Sequence, residues 1–119
     1  MNSALKQLEK CFNCGLCKAN CPVYKVILKE TVSPRGKSIL LKKDVLDKIF
    51  YLCTLCKACE RECPAQVRLS EVIREAREML VENNMETEAN KKMIDNIRKF
   101  GNPFGKLEKG KIPKELYCC

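Results

Sequence analysis

Between Ser70 and Glu82 the apolar residues Val72, Ile73, Ala76, Met79 and Leu80 recur at three- and four-residue intervals. Glu71, Arg74, Glu75, Arg77 and Glu78 fill the positions between them. This period places one apolar stripe on a helix over 70–82, capped by Ser70, with the charges turned outward. Asn83-Asn84 breaks it, and a second amphipathic run over 87–100 carries Ala89, Met93, Ile94, Ile97 and Phe100 on one side. Gly101 stands where a helix closes through a left-handed residue. Upstream, Ser33-Pro34 reads as a cap followed by proline in the first turn, with Ile39, Leu40 and Leu41 supplying the buried side. Asp44 is a candidate cap for a further helix through Val45, Leu46, Ile49, Phe50 and Leu52. Residues 22–29 predict a short helix opened by Pro22 and packed on whatever the neighbouring loops hold. Residues 3–9 predict another, with Ser3 as cap and Leu5 and Leu8 on one face. No stretch alternates as a strand would, so the expected class is mainly α. The last nineteen residues hold three glycines and two prolines and read as irregular chain. The expected division is a helical domain over 1–100 and an irregular tail over 101–119 that docks a partner.

The cysteines change this picture. Eight of ten fall into two copies of one run: Cys11, Cys14, Cys17 and Cys21-Pro22, then Cys53, Cys56, Cys59 and Cys63-Pro64. Two-residue gaps let one tight loop present three thiolates to three irons of a cubane, and the three-residue gap carries the fourth cysteine to the other cube. One cluster is therefore assigned to Cys11, Cys14, Cys17 and Cys63, the other to Cys53, Cys56, Cys59 and Cys21. The cofactors expected are two [4Fe-4S] clusters. Gly15 frees the first loop's backbone, whereas the matching position in the second is Lys57, so the two sites differ chemically. Zinc sites need four ligands, often with histidine; this chain has no histidine, and each run carries more cysteine than zinc requires. A disulfide framework belongs to an oxidising compartment, and Met1–Lys10 has no apolar signal core. A cytoplasmic location is expected, with any membrane contact made through a partner.

The formal charge of +8 falls to roughly +4 once eight thiolates and two oxidised cubane cores are counted. Lysine and arginine are scattered, with Lys42-Lys43 and Lys91-Lys92 the adjacent lysine pairs. Seven aromatics and no basic stripe argue against a nucleic-acid surface and leave an acidic docking partner as the better use of the charge. No run approaches the roughly 20 apolar residues of a membrane span. Lys10 and Lys18 flank the first loop, whereas Glu60 and Glu62 stand beside Lys57 and Arg61 in the second. On flanking charge alone the first cluster should have the higher potential.

Thirty-one residues separate Cys21 from Cys53, and they read as helices rather than a short hairpin. The two cysteine runs, Ser33-Pro34-Arg35-Gly36 between them and the helix after Pro64 resemble the helical ferredoxin module of the C-type iron–sulfur protein of heterodisulfide reductase. The same module begins the iron–sulfur subunits of glycolate and lactate oxidases. Gly101-Asn102-Pro103-Phe104-Gly105 is similar to a segment that ends this module in fused relatives. The resemblance covers residues 8–105. It implies an α-helical dicluster ferredoxin fold and an electron-transfer subunit that is not catalytic alone. It further implies that a separate polypeptide supplies the other half, either a cysteine-rich chain like the B-type component of heterodisulfide reductase or a flavoprotein. Cys118-Cys119 departs from that pattern and offers either an idle end or a ligand or thiol at the partner interface. A free-standing dicluster ferredoxin is the second reading, and a subunit of a lactate, glycolate or fumarate reductase-type complex lies beside the first.

Overall fold

A computed structural model of the chain describes residues 4–114. Cys118, Cys119 and the proposed cap Ser3 lie outside them. Among the described residues there is no strand. Five α-helices, α1 (Pro22–Ile27), α2 (Pro34–Lys42), α3 (Ala58–Arg61), α4 (Leu69–Glu82) and α5 (Glu88–Phe100), are joined by loops and 3-10 turns. The chain clusters into two compact units, one ending at Met85 and one starting at Glu86.

In the first unit α4 is the spine. Val72, Ile73, Ala76 and Leu80 are fully buried against Phe50, Leu8, Leu41 and Val67. Each fully buried large aliphatic or aromatic side chain here contributes about 1.5–3 kcal/mol. The helix starts one residue earlier than its periodicity suggests. Arg68 is the cap position, and Ser70 lies inside the first turn, its N–H donating to Glu60 Oε1 at 2.7 Å. The charged face is also not uniformly outward. Glu75 is buried and accepts from the backbone N–H groups of Ala4 and Leu5, tying α4 to the N-terminal 3-10 turn Leu5–Lys10. Gln7 completes this seam by donating to Glu71 and accepting from Arg68 N. Arg77 turns inward too.

Helix α2 begins as its Ser-Pro signature requires, with Ser33 Oγ accepting from Gly36 N at 2.9 Å. Its buried side is unlike the expected one. Pro34, Gly36, Lys37, Ser38 and Leu41 are buried, while Ile39 and Leu40 are only half-buried. Gly36 is required because a Cβ there would sit inside the Glu30 carbonyl. Asp44 caps nothing: it takes a left-handed conformation (φ 55°) as α2 unwinds. Asp47 caps the next turn instead, the 3-10 segment Lys48–Tyr51, by accepting from Ile49 N. Helix α1 is shorter than expected and stops at Leu28, which is left-handed; Val26 and Leu28 face solvent.

In the second unit, Thr87 Oγ1 accepts from Asn90 N to cap α5, and Gly101 (φ 73°) closes it. Gly-Asn-Pro-Phe-Gly then folds back on the helix. Asn96 Nδ2 donates to Pro103 O, and Asn102 Nδ2 donates to Gly105 O while its Oδ1 accepts from Phe104 N. No helix among the described residues is long and apolar enough to cross a membrane.

Candidate metal centre

The two cysteine loops are one backbone shape written twice. Asn13 and Gly15 flank Cys14 with φ of 59° and 83°, and Leu55 and Lys57 flank Cys56 with φ of 56° and 64°. Positive φ on both sides of the central cysteine curls the backbone tightly around it. Leu55 and Lys57 carry about 1–2 kcal/mol of left-handed strain each, where glycine carries none. Strain of this kind persists where surrounding structure or a bound group over-determines it. A one-turn helix follows in both copies, Leu16–Lys18 and α3. The fourth cysteine is then held by the segment after its proline: Cys21 Sγ accepts from Tyr24 N at 3.5 Å and Cys63 Sγ from Val67 N at 3.4 Å. Hydrogen bonds to a ligating sulfur are among the levers that set cluster potential.

Exposure repeats over the first three cysteines of each run but not at the fourth. Cys14 and Cys56, the middle cysteine of each loop, are exposed, Cys21 is buried, and Cys11, Cys17, Cys53, Cys59 and Cys63 are half-buried. Burial pushes the Cys17 thiol up to about 11, assisted by the neighbouring thiols Cys11, Cys14 and, from the second run, Cys63. Burial likewise pushes Cys59 up to about 12, assisted by Cys53, Cys17 and Cys56. Cys56 moves the other way, lowered by the Ala58 N–H and the Thr54 hydroxyl. Cys63 is thus within electrostatic reach of Cys17 in the first loop, and Cys17 within reach of Cys59 in the second. Cys21, Cys53, Cys56 and Cys59 together line a single recess, walled by Lys37 of α2 and Ile73 of α4. Among the described residues no three His, Cys, Asp or Glu side chains converge on a point that would hold one ion. A cubane asks for another arrangement, four thiolates each on its own iron, and a recess with cysteine on several walls fits it.

The charges around the loops come from elements remote in sequence. Beside the first, Glu30 accepts from Lys18 Nζ at 2.7 Å and from Arg35 Nε at 2.8 Å, and Ser33 Oγ donates to it as well. These partners, Arg35 foremost and then Lys18, hold the Glu30 carboxyl down to about 2. Arg35 also packs on Gly15, where a Cβ would come within 2.8 Å of its Nη1. Lys42 Nζ donates to the Cys11 carbonyl. Beside the second loop, Lys37 is 2% exposed and donates to Leu52 O at 2.6 Å. Arg77 donates to Phe50 O at 3.0 Å and to Cys53 O at 2.6 Å. Burial pulls the Lys37 ammonium below its ordinary value, and the nearby Cys53, Cys21 and Cys59 pull it back. Neither Lys37 nor Arg77 was marked by the sequence, because a lysine or arginine on an amphipathic helix reads as solvent-facing.

With this geometry in place the chain can be set beside known proteins. It matches the 4Fe-4S dicluster domain family over residues 7–67. The protein belongs to that family and is a mainly α, two-cluster iron–sulfur domain. It is 30% identical over 99 residues to a CoB–CoM heterodisulfide reductase iron–sulfur subunit of Methanocaldococcus jannaschii, covering 82% of this chain and 53% of that one. It is 33% identical over 87 residues to a probable glycolate oxidase iron–sulfur subunit of Bacillus subtilis, covering 65% of this chain and 20% of that protein. It is 29% identical over 109 residues to lactate utilization protein B of Lysinibacillus sphaericus, covering 85% and 22%. The chain thus spans from about a fifth to about half of these relatives.

Proposed function

We propose that this chain is an electron-relay subunit of an oxidoreductase complex, of the type found as the iron–sulfur subunit of heterodisulfide reductase or glycolate oxidase. One cluster would be ligated by Cys11, Cys14, Cys17 and Cys63, the other by Cys53, Cys56, Cys59 and Cys21. When bound, each cluster takes up and releases one electron without bond making at a substrate. The observation that carries this reading is the recess that joins Cys21 to the second loop, mirrored by the presence of Cys63 near Cys17. The interlacing supports short separation between the two sites. The protein's own work is to orient thiolates through two strained loops, to donate Tyr24 and Val67 N–H groups to sulfur, and to exclude water from Cys21. The partner on one side is proposed to be a flavin or cluster protein and on the other a cysteine-rich chain. The test is anoxic co-purification of the tagged full chain from its native cell. Recovery with a flavoprotein or a cysteine-rich polypeptide is expected; recovery as a lone carrier active with unrelated donors would favour a free ferredoxin. The 101–119 segment is proposed as part of that docking surface.

A further inference from the structure

The two loops repeat each other in backbone, yet the lysine beside the second, Lys37, is buried, whereas Lys42, which donates to the Cys11 carbonyl of the first, is exposed. Lys37 sits at the wall of the recess that Cys21, Cys53, Cys56 and Cys59 line. The residue is 2% exposed, and its hydrogen-bond acceptor is a carbonyl, Leu52 O, not a carboxylate. Arg77 lies next to it and satisfies Phe50 O, Tyr51 O and Cys53 O. Two cations are thereby held against the residues that feed the second loop, and no ion pair to either is present among the described residues. Glu60 is an acidic group felt by Cys59, and its Oε1 is engaged by Ser70 N. Near the first loop Lys18 and Arg35 are instead paired through Glu30 on a partly exposed surface, where solvent weakens them.

We infer that Lys37, supported by Arg77, is the potential-setting residue of the second cluster site. Reduction adds one negative charge inside the recess, and a cation shielded from water by its own burial favours that state far more than an exposed one. The effect is expected to be local, since Lys37 lines the recess of the second site while the cations at the first loop are Arg35, Lys18 and the exposed Lys42. Lys37 therefore raises the midpoint of the site at Cys21, Cys53, Cys56 and Cys59 and leaves the other nearly untouched. This rests on the two-cluster reading, whose own failure would appear as missing iron rather than as unmoved potentials.

The test is an EPR-monitored redox titration of the anoxically purified full chain, wild type beside Lys37→Gln, Lys37→Arg and Lys18→Gln, with iron counted in each. Glutamine keeps a donor for Leu52 O and removes the charge. In Lys37→Gln one of the two midpoints should fall so that, poised at its wild-type value, oxidised outnumbers reduced by about tenfold, equivalent to about 59 mV for one electron. The other midpoint should stay, Lys37→Arg should restore the first, and Lys18→Gln should leave it in place. Unmoved midpoints in Lys37→Gln, equal movement of both, or an equal shift in Lys37→Arg would overturn the inference. Should Lys37→Gln lose iron, Arg77→Gln is titrated in its place with the same single-midpoint fall expected. Loss of iron from both, with retention in Lys37→Arg, would overturn it in favour of a purely scaffolding role.

Discussion

Around Cys11–Cys21, Lys18 and Arg35 converge on one carboxylate, Glu30, and the exposed Lys42 reaches the Cys11 carbonyl, all at a surface open to water. Around Cys53–Cys63 the nearby cations Lys37 and Arg77 converge on backbone carbonyls beneath α2 and α4. The loops themselves are near copies, with left-handed residues at matching positions and a backbone N–H to each fourth sulfur, from three residues on at Cys21 and four at Cys63. Ligation is thus a property of the repeated run, whereas electrostatic setting is a property of the helices that pack on it. Sites alike in sequence become unlike in environment because each borrows its surroundings from a different part of the chain.

The largest expected effect breaks the interlacing itself. Cys63→Ala should cost the cluster nested in the first loop and Cys21→Ala the one nested in the second, each lowering iron from about eight to about four per chain. Iron analysis with EPR of the surviving signal checks this; loss of the sequence-local cluster in both variants would refute the crossed ligation. Next comes Gly36→Ala. Its Cβ would overlap the Glu30 carbonyl, so the turn that delivers Glu30 to the first loop must move. Overpacking of this kind costs about 3 kcal/mol, and the denaturant midpoint for loss of visible cluster absorbance should drop accordingly.

Smaller effects sharpen the backbone comparison. Gly15→Ala forces a side chain into φ +83° against Arg35 and should cost about 1–2 kcal/mol. Lys57→Gly at the matching position should be neutral or stabilising by up to about 1 kcal/mol, because relieved strain is partly offset by unfolded-chain freedom. The two variants should move the same denaturant midpoint in opposite directions or, at the limit, only the first should move it. The smallest effect is electrostatic. Glu30→Gln leaves Lys18 and Arg35 without their shared carboxylate and should raise the midpoint of the first site by less than about 59 mV, since the pair is exposed.

Much of the site was legible because metal ligation imposes spacing on the chain, and spacing is what a sequence displays directly. The Ser33-Pro34 start, the α4 stripe and the Gly101 stop were legible for the same reason: each is a local rule. What escaped depends on contacts across the chain. Glu75 leaves the charged face because Ala4 and Leu5 bring unpaired N–H groups to it. Lys37 and Arg77 are drawn inward by the carbonyls of residues 50–53, which no helix or sheet satisfies there. Asp44 was the cap expected, but it turns left-handed as α2 unwinds, and Asp47, three residues on, caps the next turn instead. The left-handed Leu55 and Lys57 carry no signature of their own; the cysteine register pairs Lys57 with Gly15, but the shared conformation shows only in the backbone. Flanking charge read along the chain also misses its partners: Lys18 is matched by Glu30, Glu60 accepts from Ser70 N and Glu62 from Asn20 Nδ2.

The most direct check is elemental: purify the chain under strict anoxia and measure iron and acid-labile sulfide per polypeptide. Two interlaced cubanes predict about eight of each. One or two zinc ions with little iron, or about four irons in a chain whose cysteines are all intact, would contradict the account.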